Sequence, residues 1–210
     1  MSNVILSKSK FIHIPKCGGT AIESALWATG CVKNAEHVIR SPHYGHLFAS
    51  QMPEDGKPNF TFIRHPVTWW ESWYHWNKSQ PNSRFNAEEL KTRSFDEWIN
   101  DYGQFWLGLY SKIVDRYMGL DPNFPTNNKV THVGRTEKLY DDLMRILEEL
   151  DEPYKKAVLI SIKEGSHVRS RMYTNVQKYE KNKYSQATAD IIYQTELPIF
   201  DKFGYEKIIK

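Results

Sequence analysis

Cysteine is nearly absent from this sequence, with two residues, Cys17 and Cys31, in 210. A chain of this length, with 40% hydrophobic and 14% aromatic residues, buries enough core to stand without cross-links, so a disulfide scaffold is excluded and a reducing, cytoplasmic setting is expected. Long apolar runs are missing too. The opening MSNVILSKSK is too short for a signal segment, and no run approaches the roughly 18 residues of a membrane span, so no membrane partner is expected. The charge excess is only +3. That is too little to argue for nucleic acid, although it suits an anion held in a local basic cleft. Repeats and low-complexity tracts are absent, and the Pro/Asn-rich stretches at 79–86 and 120–129 read as surface loops within a single domain spanning 1–210. The histidines and cysteines show no metal-ligand spacing, so no metal is expected.

What is present is an alternation of short apolar runs and helical patterns. KFIHI (10–14) precedes a helix carrying Ile22, Ala25 and Leu26, which stops at Gly30. NFTFIR (59–64) precedes Pro66, suited to a first helical position, and then VTWWESWYHW. KVTHV (129–133) leads past Gly134 to a helix with Leu139, Leu143, Ile146, Leu147 and Leu150 on one face. Between the second and third units, approximately 80–128, lies a helical insert, marked by the capping-box spacing of Ser94 and Glu97. Strands alternating with helices predict an α/β fold with a parallel sheet covered on both faces.

In such a sheet, ligands sit beyond the carboxyl ends of the strands, where loops enter helix N-termini. The stretch HIPKCGGT, His13 to Thr20, is at such an edge. Gly18 and Gly19 let backbone N–H groups approach an anion, Thr20 adds a hydroxyl, and Lys16 a mobile charge. The nucleoside-triphosphatase loop is excluded, because it places its lysine after the glycines. A second anion site is expected at FIRHPVTWWESWY, where Arg64 ends a strand and Ser72 lies eight residues on.

HIPKCGGT paired with R-x-P and that serine resembles the PAPS-dependent sulfotransferases, closest to the membrane-bound carbohydrate (heparan-sulfate-type) enzymes and their bacterial and viral relatives. VGRTEKLYDDLMRILEEL (133–150) and IFDKFGY (199–205) extend the likeness, which is weakest over 80–128 and 151–183. The resemblance implies a three-layer, P-loop-like fold and a donor, 3′-phosphoadenosine 5′-phosphosulfate (PAPS), leaving as the bisphosphate PAP, with no metal. The phosphosulfate would lie against Lys16, Cys17, Gly18, Gly19, Thr20 and Ala21, and the 3′-phosphate against Arg64 and Ser72. His65 and Cys17 depart from the family, where aspartate and threonine are frequent.

An in-line displacement at sulfur makes Lys16 and the loop amides electrostatic stabilisers of the leaving group. The attacking hydroxyl needs a base. SPHYGHLF (41–48) offers His43 and His46, and its Gly-His pair resembles the base-bearing segment of the uronyl 2-O-sulfotransferases, which favours His46; Glu71 is the fallback. A histidine near its ordinary pKa of about 6.5 would serve. Among the tryptophans, Trp69, Trp73 and Trp76 share a helical side and are assigned to core, whereas Trp70 lies off it and is available to stack on a sugar or adenine. The basic stretch 167–183, with Arg169 and Arg171, stands where the family closes a loop over the donor. The acceptor is a hydroxyl-bearing small molecule or glycan, foremost a carbohydrate. A P-loop kinase and a catalytically silent nucleotide-binding module are the rival readings.

Overall fold

The computed structural model describes residues 3–39, 46–79, 90, 92–102, 106, 108–166 and 184–209. Five strands run in chain order as β1 (Asn3–Ile5), β2 (Lys10–Ile12), β3 (Val38–Ile39), β4 (Asn59–Ile63) and β5 (Val130–Arg135). The helices are α1 (Gly19–Ala28), α2 (Pro66–Ser79), α3 (Phe95–Tyr102), α4 (Leu109–Met118), α5 (Leu139–Glu149), α6 (Lys156–Lys163), α7 (Gln186–Thr195) and α8 (Leu197–Phe203). The chain divides into two compact units, one of residues 1–64 and 114–177, the other of 65–113 and 178–210.

The first unit holds the whole sheet, in the order β3-β1-β2-β4-β5. The expected strand-helix units supply β2, β4 and β5, which pair in parallel. The sheet as a whole is mixed, because β1 lies antiparallel to both β2 and β3. For β1 and β2 length decides the direction: the four residues from Leu6 to Ser9 close a turn, with the Leu6 amide donating to the Ser9 carbonyl at 2.8 Å, and a parallel crossover needs a dozen or more. The turn is anchored by Glu152, which accepts from the Ser7 and Ser9 hydroxyls and the Lys8 amide at 2.7–2.8 Å. Gly134 does not end β5 but lies inside it, where a Cβ would stand 2.5 Å from the Phe62 ring. Against the sheet, Ile22, Ala25 and Leu26 of α1 and Leu143, Ile146 and Leu147 of α5 join Val4, Phe11, Phe60 and Phe62 in one core. The period-3.6 apolar stripes read from the sequence are the buried faces of those helices.

The second unit is helical, and the capping box at α3 is formed: Glu97 accepts from the Ser94 amide at 2.7 Å, and the Glu97 amide donates to the Ser94 hydroxyl at 3.2 Å. Its core is aromatic. Trp69 stacks on Tyr110 (centroids 4.5 Å) and on Trp73 (5.1 Å), and Trp70 meets Trp98 at 5.7 Å. The tryptophan assignment needs correction. Trp76 is 37% exposed, whereas Trp70 is 2% exposed and donates Nε1–H to Glu196 at 3.0 Å, so it offers no ring to a ligand. The buried stripe of α2 runs through Pro66, Val67, Trp69, Trp70, Tyr74 and Asn77, because α2 packs against α7. Two overlapping aromatic stripes occur at helical spacing, and packing selects between them. No helix among the described residues is long and apolar enough to cross a membrane.

Candidate functional site

Beyond the end of β2 the chain turns through Pro15 to Gly18 and enters α1 at Gly19. Lys16 adopts φ 67° and Gly18 φ 79°. For glycine the left-handed region is free of penalty; for lysine it costs on the order of 1 kcal/mol, the kind of strain retained where a loop shape serves a site. At Gly18 a Cβ would also meet the Leu139 side chain at 2.7 Å, so a substituent there has neither conformation nor space. Gly18 occupies the N-cap position with no side-chain cap, and the first turn of α1 carries no acid. The positive end of a ten-residue helix therefore faces the loop without a built-in negative charge.

Two cations converge here. Arg64, just past β4, donates from Nη1 to the Lys16 carbonyl at 3.4 Å. Partial burial, together with the neighbouring Arg64 charge, lowers the Lys16 amine to a pKa of about 8. A lysine so placed gains from any anion that arrives, since the anion offsets both the lost hydration and the like charge. Cys17 is buried and both cysteines are free thiols. Thr20 and Ala21, half-buried, lie in the first turn of α1. Lys16, Cys17, Gly18, Gly19, Thr20, Ala21 and Arg64 are thus gathered in the first unit. Ser72 and Glu71 lie half-buried on α2 in the second. His43, Arg169 and Arg171 lie outside the described residues.

The sequence reading missed His13. Its buried ring lies against Gly19, so that a Cβ on Gly19 would stand 2.0 Å from His13 Nε2. Gly19 is therefore required by the imidazole beneath it as well as by any ligand above. The signal was a histidine inside an otherwise apolar buried run, FIHI, directly before the loop. His13 also touches His46, edge to face with centroids 4.3 Å apart. His46 is half-buried, and its Nδ1 is enclosed with no hydrogen-bond partner. Burial lowers its pKa to about 4, well below the value near 6.5 expected from the sequence. It is thus neutral across the physiological range, able to accept a proton but a weaker base than an exposed imidazole. Its ring also neighbours Tyr117 (centroids 6.4 Å), against which stands Phe48 (4.8 Å).

Among the described residues no group of three or more His, Cys, Asp or Glu side chains is arranged to hold a metal ion. The arrangement can grip an oxyanion at a helix N-terminus between a lysine and an arginine, with a neutral imidazole in the same unit. The His65 ring packs on Phe200 and Tyr205, and its Nε2 lies 3.0 Å from the Glu206 carbonyl; it holds the terminal segment of the second unit. Comparison of the chain with family models, curated proteins and solved structures found no match.

Proposed function

We propose that this protein is a sulfotransferase of P-loop-like, three-layer architecture, moving a sulfo group from 3′-phosphoadenosine 5′-phosphosulfate to a hydroxyl of an acceptor, foremost a carbohydrate. The observation that carries the reading is the loop itself: Lys16 held at φ 67° ahead of Gly18 and Gly19, with Arg64 bonded to its carbonyl. The acceptor oxygen attacks sulfur in line as the bond from sulfur to the bridging phosphate oxygen breaks. Charge grows on that oxygen, and Lys16 with the α1 amides stabilises it. The acceptor proton passes to His46, through Nε2 because Nδ1 is enclosed. A base with a pKa of about 4 works late in such a step, when the acceptor oxygen is already bonded to sulfur and its proton has become acidic. The 3′-phosphate is assigned to Arg64 and Ser72, a pairing that rests on their sequence spacing.

The depressed pKa of His46 favours one second reading, a nucleotide-binding module without turnover. Calorimetry separates the donor reading from any general anion site. Adenosine 3′,5′-bisphosphate should bind much more tightly than adenosine 5′-monophosphate, and Arg64→Ala should cost roughly tenfold to a hundredfold for the bisphosphate and little for the monophosphate, as expected for charge-assisted hydrogen bonds. Equal affinities for the two nucleotides would sink the assignment. Mass spectrometry of glycans, phenols and alcohols incubated with labelled donor then distinguishes transfer from silent binding.

A further inference from the structure

The last turn of α4 carries a cation that forms no ion pair among the described residues. The Arg116 guanidinium lies between two aromatic rings, 4.3 Å from the centroid of Phe48 and 4.0 Å from that of Phe124. Among the described residues it makes no hydrogen bond or ion pair, and its Nε is enclosed without a partner. Stacking satisfies the faces of a guanidinium, but its N–H donors lie in the plane between those faces, and with Nε enclosed the donors left are those of Nη1 and Nη2. The rings strip water from the charge and fix the plane while leaving that edge unanswered. A pre-set, partly dehydrated fork of this kind matches a carboxylate or a similar oxyanion. The sandwich opens to solvent, since Phe124 is 40% exposed. It is also continuous with the candidate site in the same unit, through Phe48 to Tyr117 and Tyr117 to His46.

We propose that Arg116, clamped by Phe48 and Phe124, is an anion-recognition residue that selects hydroxyl-bearing acceptors carrying an oxyanion. Its purpose rests on the sulfo-transfer reading; the binding itself does not. The test uses two polyols that differ in one group, D-gluconate and its neutral counterpart D-glucitol, titrated by ligand-observed NMR with and without saturating adenosine 3′,5′-bisphosphate. Wild-type protein should bind gluconate about tenfold more tightly than glucitol in both conditions, as one charge-assisted contact at a part-exposed site would give. Arg116→Met, which keeps an unbranched chain between the rings, should abolish the preference and leave bisphosphate affinity unchanged. Should that variant fail to fold, Arg116→Lys, with charge but no fork, should reduce the preference several-fold. Equal or undetectable binding of the two polyols by wild type, or a preference that survives in the folded variants, overturns the proposal. A protein that prefers gluconate yet ignores the bisphosphate would instead refute the sulfo-transfer reading alone.

Discussion

At the scale of single residues, Gly19 and His13 form one steric unit. An alanine at 19 would drive its Cβ into a buried imidazole, 2.0 Å from Nε2. Gly19→Ala should therefore destabilise the protein by about 3 kcal/mol, the upper range for overpacking. The double variant His13→Ala/Gly19→Ala should recover part of that loss, with a coupling of about 1–2 kcal/mol between the two sites. Gly56→Ala separates conformational cost from steric cost: Gly56 has a positive φ, 77°, which Gly19 lacks, and nothing lies within 4 Å of the added carbon. Urea denaturation of wild type, His13→Ala, Gly19→Ala, the double variant and Gly56→Ala decides. Strict additivity of the His13 and Gly19 changes would show that the ring does not impose the glycine. The sequence displayed both residues, yet only the strand-to-loop geometry brings a side chain at 13 beneath the backbone at 19.

At the scale of elements, the helix ends divide into those written locally and those completed from afar. The α3 cap was legible because Ser94 and Glu97 lie three residues apart and serve each other. The start of α4 has no such local signal. Its first turn is capped by Glu196, at the junction of α7 and α8, which accepts from the amides of Tyr110 and Ser111 at 3.1 and 2.8 Å and the Ser111 hydroxyl at 2.6 Å. The same carboxylate accepts from Trp70 on α2, so one side chain joins three elements of the second unit. Burial pushes its pKa up, opposed by those donors. Glu196→Ala strands several buried N–H groups and should cost about 3 kcal/mol or more, while Glu196→Gln, which keeps an acceptor, should cost less. Thermal or urea unfolding that finds the alanine variant as stable as wild type would show that the junction does not depend on this carboxylate.

At the scale of the whole molecule, His46 links folding to acidity. Its pKa is near 6.5 in an unfolded chain and about 4 in the fold. Between those values the unfolded state binds the proton and the native state does not, so stability falls as pH drops through that window and is fully present above it. Allowing for the part of the ring open to solvent, the contribution is on the order of 1–2 kcal/mol. Unfolding free energies measured from pH 7.5 to 4 should show this fall, and His46→Gln should flatten it. An unchanged acid dependence in the variant would mean that other groups govern it. Any turnover that needs neutral His46 should likewise persist well below pH 6.5, in contrast to the titration near neutrality that an exposed imidazole would impose.

By itself the sequence determined what depends on neighbours along the chain. Three parallel strands, the helices after β2 and β5, the turn at Gly18 and the cap at Ser94 are local patterns of hydrophobic period, glycine and polar spacing, and each is formed as read. The loop from Lys16 to Thr20 and the arginine at 64 were visible for the same reason, since a glycine-bearing turn at a strand end is written in consecutive residues. Tertiary structure alone decided the rest. It laid β1 and β3 antiparallel, a matter of strand pairing across the chain for segments of three and two residues. It turned Trp70 inward to a carboxylate 126 residues away. It sealed Nδ1 of His46 and lowered that residue's pKa, and it set Arg116 between rings drawn from positions 48 and 124. Burial and dielectric are properties of packed neighbours, most of them distant in sequence, so a side chain's type is written in the chain while its charge state and exposed edge are fixed only when the fold closes around it.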